Sequence, residues 1–322
     1  MTTGATGSIL SVEGIAFTKM TGSGNDFVFF DGRSVDLSDV TSPEIIRAIC
    51  SRHNGIGADG VVVLQPGSLS ASDGDSPPVD ARIHYFNSDG TPADLCGNAT
   101  LCSTAMAAVL GLGEAEGMAL GTPAGRISSR LSDGLPEIDL PPVTRIDSAM
   151  ALPLVPGERR MGYLLVGIPH LVIVCEDVEQ VDVAGRGPGL RYHPALGAAG
   201  ANVNWVSAQP DGSWRYRTYE RGVEGETQAC GTGAVGTAIL LCEWGLTAPP
   251  VRLITTSGRP VTVTLTRSVD GGLSQWQPSL RGEGRIVFRG QIGDLGLDRQ
   301  RSSEPSIAGA LKGLCRGPEA IP

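Results

Sequence analysis

An α+β fold of two similar, pseudo-symmetric domains, each with strands wrapped around one helix, is what the sequence predicts, and three observations carry it. Short apolar runs that read as strands are spread along the whole chain. Two longer apolar stretches each follow a Cys-Gly pair. Landmarks of the first half recur in order in the second. With 322 residues, 41% of them hydrophobic, the chain is long enough to bury two cores.

The strand candidates are GVVVL (60–64), HLVIV (170–174), NVNWV (202–206) and VTVTL (261–265), and the 45 glycines and 22 prolines scattered between such runs read as tight turns. The helices are CGNATLCSTAMAAVLGLG from Cys96 and CGTGAVGTAILLCEWGLT from Cys230; each ends at a Gly-Leu pair fifteen residues on. A helix apolar on every side has to be enclosed by other elements, and the nearest material here is strand.

Spacing between the halves is constant over several landmarks. Gly24 and Gly57 recur as Gly167 and Gly200 at an offset of 143, laying GNDFVFF over GIPHLVI and GADGVV over GANVNW. Tyr85 and Cys96 recur as Tyr219 and Cys230 at an offset of 134, and T-x-x-G-R stands at both 122–126 and 255–259. Such an ordered series favours duplication. The expected organisation is an N-terminal extension over 1–16, a first domain over 17–150, a second over 151–290 whose last strand is a candidate to return to the first, and a polar tail over 291–322. Residues 66–80 read as an exposed loop.

A net charge of −9 and a pI near 5.0 leave no basic cluster to release counterions from a phosphate backbone, so a small-molecule partner is expected and nucleic acid is not. No stretch approaches the roughly 20 apolar residues of a membrane span, and a cytosolic location is the expectation. The seven cysteines, at 50, 96, 102, 175, 230, 242 and 315, include no CxxC pair and no zinc-like spacing with histidine, so no metal is expected. Cys50, Cys102, Cys175 and Cys242 lie in apolar patterns and read as core; Cys315 falls in the tail.

Cys96 and Cys230 differ because both occupy the repeat-equivalent turn, precede Gly and open a helix. Unpaired N–H groups and the helix dipole converge there, favour a thiolate and are expected to lower the thiol pKa. The same N–H groups can hold a carboxylate beside it. Two such turns facing each other place one thiol on each side of a carbon, which is the requirement for inverting a stereocentre without a cofactor. Around them, His170 fits either a satisfied structural histidine or a group that tunes a thiol. Glu220 and Arg221 fit a solvated surface pair or ligand contacts at the mouth of the second turn. Asn25, Asn87, Asn98 and Asn202 fall in repeat landmarks and suit a zwitterion that needs donors and acceptors.

FTKMTGSGNDFV, RHNGIGADGV, YFNSDGTPADLCGN, GANVNWV and TYERGVEGETQACGTGA, in this order between about Phe17 and Gly290, resemble the diaminopimelate epimerase family. The resemblance implies two domains, each a mixed β-barrel around a central helix, with the site between them, usually in a homodimer. It implies conversion of L,L- to meso-diaminopimelate in lysine and peptidoglycan precursor synthesis, without metal or organic cofactor. By position, Cys96 and Cys230 would be the acid–base pair. Gly97, Asn98, Gly231 and Thr232 would cradle the reacting carboxylate, while Asn25, Asn87, Asn202, Glu220 and Arg221 would contact substrate. His170 and Glu220 would set thiol ionisation. The chain departs from the family at Ile168, where Asn usually precedes Pro-His, and at Ala99 and Leu101, where CGNG followed by Arg is usual. Rival readings are a racemase of another amino acid and a non-catalytic binding protein on the same scaffold.

Overall fold

Residues 12–67, 78–270 and 273–297 are described in the computed structural model. The first half runs β1 (Ala16–Gly22), β2 (Asn25–Asp31), α1 (Leu37–Val40), α2 (Pro43–Cys50), β3 (Gly60–Pro66), β4 (Ala81–Asn87), α3 (Gly97–Leu110), β5 (Met118–Thr122), β6 (Gly125–Ser132), β7 (Leu135–Asp139) and β8 (Ile146–Asp147). The second runs β9 (Glu158–Val166), β10 (Ile168–Cys175), α4 (Val183–Arg191), β11 (Asn202–Ala208), β12 (Trp214–Glu220), β13 (Gly225–Thr227), α5 (Gly231–Glu243), β14 (Val251–Ile254), β15 (Pro260–Asp270), β16 (Leu273–Arg281) and β17 (Arg285–Gln291). All four strand candidates and both helices are present. The loop expected at 66–80 and the tail lie largely outside the described residues, as does Cys315.

Both central helices, α3 and α5, form for the same local reasons. Small and unbranched residues dominate them, and each stops at a glycine in the left-handed region, Gly111 at φ 65° and Gly245 at φ 68°. The following leucine N–H reaches back five residues, Leu112 to Ala107 at 2.9 Å and Leu246 to Leu241 at 3.0 Å, so the Gly-Leu pair closes the helix. Burial surrounds both: Leu101 and Cys102 on α3 and Ala234 to Leu241 on α5 are enclosed by strand side chains.

Strand pairing is the same mixed series twice. In the first half β1–β2 is antiparallel, β2–β3 parallel, β3–β4 antiparallel, β4–β5 parallel, and β5–β6–β7 antiparallel. In the second, β9–β10, β10–β11, β11–β12, β12–β14 and β14–β15–β16 alternate identically. An antiparallel β7–β16 ladder, Leu280 opposite Ile138, joins the halves. Each half also ends inside the other: β17 pairs with β1 and β8 with β9. Inside each wrap the strands pack on the central helix; outside, α2 covers β1–β3 and α4 covers β10–β12.

Three expectations need correction. Val12 is 4% exposed and packs with Phe17 and Ile292, so the extension and the start of the polar tail both contribute apolar side chains to the core. The register also shifts the repeat by one residue: Phe27 faces Gly60 in the parallel ladder where His170 faces Asn202, and Val62 faces Tyr85 where Asn204 faces Thr218. Because side chains alternate across a strand, this slip changes faces. Tyr85 therefore packs toward α3, whereas Tyr219, its match by sequence, joins the outer cluster with Leu171 and Ile173. Structurally, Tyr85 corresponds to Thr218 and Asn87 to Glu220.

Candidate active site

Cys96 and Cys230 are the N-cap residues of α3 and α5, both with extended backbone. The two helix ends meet: a Cβ added at Gly97 would stand 3.7 Å from Gly231 Cα, and one at Gly231 would stand 3.6 Å from Gly97 Cα. With glycine at the first helical position of both, the two backbones come this close with no side chain between them. Cys230 consequently lies in the electrostatic field of Cys96. Cys230 is 5% exposed, and Cys96 is half-buried.

The expected lowering of the thiol pKa is not what the structure gives. Burial pushes the Cys96 thiol up to about 11, against the pull of the Ala99 and Asn98 N–H groups and the Tyr85 hydroxyl, while the Glu220 carboxylate adds to the rise. Burial raises Cys230 too, with Glu220 adding and Thr232 and the Gly233 N–H opposing. Neither sulfur forms a well-formed capping bond to its helix. Loss of water outweighs a few partly aligned N–H dipoles, so both thiols are held protonated. Glu220 is itself raised by burial, despite the Thr227 hydroxyl that donates to Oε2 at 2.7 Å, and its charge acts on both sulfurs.

Behind Cys230 the inner face of the second half is polar. His170 is 0% exposed and its Nε2 lies 3.1 Å from Thr232 Oγ1, which stands 3.7 Å from Cys230 Sγ. Burial, then the Arg221 charge, depresses the imidazole pKa to about 3, so the ring is neutral. The Thr232 hydroxyl stands between the ring and the thiol. The equivalent inner positions of the first half carry Phe27 and Val62, packed with Tyr85.

The asparagines divide. Asn98 Nδ2 donates to Asn25 Oδ1 at 2.6 Å, and Asn25 Nδ2 donates to Asp59 Oδ2 at 2.9 Å, tying the first turn to a charged cluster of Asp59, Asp26, Arg52 and Lys19. Asn98 Oδ1 has no hydrogen-bond partner among the described residues and lies 3.8 Å from the Cβ position of Gly231. Asn202 accepts from the Arg221 N–H at 2.7 Å, and its Nδ2 is buried with no partner among the described residues. One orphan acceptor and one orphan donor thus flank the helix ends, and such groups are costly unless a ligand meets them. The Asn87 side chain donates within its own turn, to Thr91 Oγ1 at 3.1 Å. Arg221 makes no guanidinium hydrogen bond or ion pair to another described residue.

Two departures from the family pattern have structural settings. Leu101 is fully buried where the halves join, in one apolar cluster with Leu280, Val261 and Ile138. Ala99 packs among Met20, Phe27 and Val62. Ile168 is half-buried beside Val166. The sequence reading missed Asn204, Thr218, Asp59 and Thr227. For Asn204 and Thr218 the available signal was a polar residue at an inward position of an otherwise apolar strand. No group of three or more metal-ligating side chains occurs among the described residues.

Two wrapped halves whose cysteine-capped helix ends meet define the class, an isomerase fold of the racemase and epimerase kind. A hydroxyproline epimerase from Agrobacterium vitis, with bound trans-4-OH-L-proline, shares the fold with a TM-score of 0.57 at 17% identity, over 87% of this chain and 93% of that one. A phenazine biosynthesis protein of the PhzF family from Bacillus anthracis does so with a TM-score of 0.64 at 14% identity, over 86% and 98%. At the level of sequence, the family profile described as diaminopimelate epimerase matches residues 17–139 and 162–269. A diaminopimelate epimerase of Gemmatimonas aurantiaca is 60% identical over 286 residues, 87% of this chain and 100% of the relative. That of Aquifex aeolicus is 33% identical over 288 residues, 86% and 98%. The chain belongs to the diaminopimelate epimerase family.

Proposed function

We propose that Cys96 and Cys230 are the acid–base pair with which this family member converts L,L-diaminopimelate to meso-diaminopimelate. The observation that carries the assignment is the contact of Gly97 with Gly231, which sets two cysteine-capped helix ends against each other. One thiolate takes the α-proton from its face of the carbon, and the thiol opposite delivers its own proton to the other face. The thiolate needed to begin arises by transfer of a thiol proton to the Glu220 carboxylate, the group whose charge acts on both sulfurs. Negative charge developing on the substrate carboxylate is met by the N–H groups of Gly97, Asn98, Gly231 and Thr232.

Around the reacting carbon, the orphan Asn98 Oδ1 and Asn202 Nδ2 supply an acceptor and a donor, with Asn25 holding Asn98 in place. Arg221, whose guanidinium pairs with no other described residue, takes the distal carboxylate, and Asn87 borders the first turn. This chemistry uses no cofactor. A homodimer is supported by the family and by β17, which pairs with no described strand but β1 and whose Val287 and Phe288 are each 47% exposed; light scattering after gel filtration tests it. The proposed location is the cytoplasm, which cell fractionation tests.

In D2O, the enzyme should introduce deuterium at Cα of L,L-diaminopimelate as meso product forms, and Cys96→Ala and Cys230→Ala should each abolish product formation. Full turnover by either variant would overturn the two-thiol assignment. Turnover of another amino acid with none of diaminopimelate would replace the substrate.

A further inference from the structure

The polar side chains behind Cys230 have a fixed direction of hydrogen bonding, and it ends at the thiol. Asn204 Nδ2 lies 3.2 Å from the Leu171 carbonyl oxygen, which can only accept, while Asn204 Oδ1 accepts from Thr218 Oγ1 at 2.8 Å. These two partners set the orientation of the amide. Its other Nδ2 hydrogen faces His170 Nδ1 at 3.3 Å, so Nδ1 is the bare ring nitrogen and the imidazole proton resides on Nε2. That proton is donated to Thr232 Oγ1 at 3.1 Å, which leaves the threonine hydrogen for Cys230 Sγ at 3.7 Å.

We propose that Asn204 is a positioning residue of the reaction: by holding His170 in the Nε2–H tautomer it makes the Thr232 hydroxyl a donor to Cys230, a relay that stabilises this thiolate and that the first half lacks. The proposal rests on Cys230 being an acid–base thiol. In the first half Phe27 and Val62 stand where His170 and Asn204 stand in the second, and Tyr85 acts directly on Cys96. The pseudo-symmetric thiols therefore have chemically different supports. Gly233 shows how closely α5 is fitted to the relay, since a Cβ there would stand 2.5 Å from Asn204 Oδ1 and 3.2 Å from Cys230 Sγ. The other titratable and charged groups facing the relay are Glu220 and Tyr216 on β12, Arg221 just beyond it, and Cys96 on α3.

The test is nitrogen NMR of the full chain labelled at histidine, with the His170 signals assigned by their loss in His170→Phe. Between about pH 5 and 9 the wild-type ring should show a protonated Nε2 and a bare Nδ1; a protonated Nδ1 would overturn the proposal. Asn204→Leu removes the donor and should put both tautomers in exchange. Thr232→Val should lower the Cys230 thiolate fraction about tenfold, the scale of a lost charge-assisted hydrogen bond. The fraction is read from the pH dependence of Cys230 alkylation by mass spectrometry. The same variant should lower kcat with KM held, and Thr232→Ser should restore both. An unchanged alkylation profile in Thr232→Val would equally overturn the relay, whether or not Asn204→Leu folds. The tautomer and alkylation readouts need no turnover, so failure of the two-thiol assignment, seen as activity in Cys230→Ala, is distinguishable.

Discussion

Replacing Gly233 by alanine sets two effects of known size against each other. In the first turn of α5, whose glycine is not in the left-handed region, alanine should stabilise the helix by about 0.5–1 kcal/mol. Against this, the new methyl carbon would sit 2.5 Å from Asn204 Oδ1 and 3.2 Å from Cys230 Sγ. Carbon and oxygen normally rest near 3.3 Å, so the amide would have to retreat by roughly 0.8 Å, and overpacking of this kind costs about 1–3 kcal/mol. The net is a destabilisation of about 1 kcal/mol, or roughly 2 °C in thermal midpoint for a chain of this size. Activity should fall further than stability, because a displaced Asn204 loses Thr218, Leu171 and His170 together. Gly97→Ala is the control: its nearest contacts are at 3.7 Å, an ordinary distance, so it should unfold no earlier than wild type. Its methyl group nevertheless protrudes between the helix ends, and kcat/KM should fall by about 100-fold if a carboxylate is cradled there. Thermal melts with deuterium incorporation at Cα read both quantities. A Gly233→Ala protein that melts above wild type with full activity would refute the steric reasoning.

Acid should expose His170. Its folded pKa of about 3 lies below the unfolded value of 6.5, so the unfolded chain alone binds a proton as pH falls from 6.5 toward 3, and stability present above 6.5 is progressively lost. At pH 4 the loss amounts to about 3 kcal/mol; urea titrations at pH 7 and pH 4 should show it in wild type and not in His170→Phe, which copies the first half. Arg221→Ala should lower kcat/KM for diaminopimelate by about 10- to 100-fold, the value of a bidentate carboxylate contact. A substrate analogue lacking the distal carboxylate should be turned over equally by both proteins, and an equal loss on that analogue would move Arg221 away from the distal group.

The central helices were legible because all-round apolarity is a property of composition, and their ends were marked by Gly111 and Gly245. The place of Cys96 and Cys230 at the two helix starts was legible from the Cys-Gly pairs that open both apolar runs. Less could be read where the outcome depended on packing. Whether N–H groups or burial dominate at Cys96 is decided by how much water the folded halves exclude. The matched tyrosines, 85 and 219, faced opposite ways because a single residue of register separates the two strand pairs. Helix α4 contains Gly185, Gly187, Pro188 and Gly189, a composition that argues against helix. It forms because the Asp182 side chain accepts from the Gly185 N–H at 2.9 Å and because Val183 and Leu190 are buried. Gly187 is needed there, since a Cβ would meet the Tyr219 ring at 2.3 Å.

The crossed strands β8 and β17 limit how the molecule can breathe. With β7–β16 already bridging the middle, three ladders would have to shear before the lobes could part, so admitting an amino acid to sulfurs this enclosed calls for a rocking motion about those seams. The same braid makes each lobe dependent on its sibling for a wall: excising either would strip a strand from the survivor and leave a raw edge.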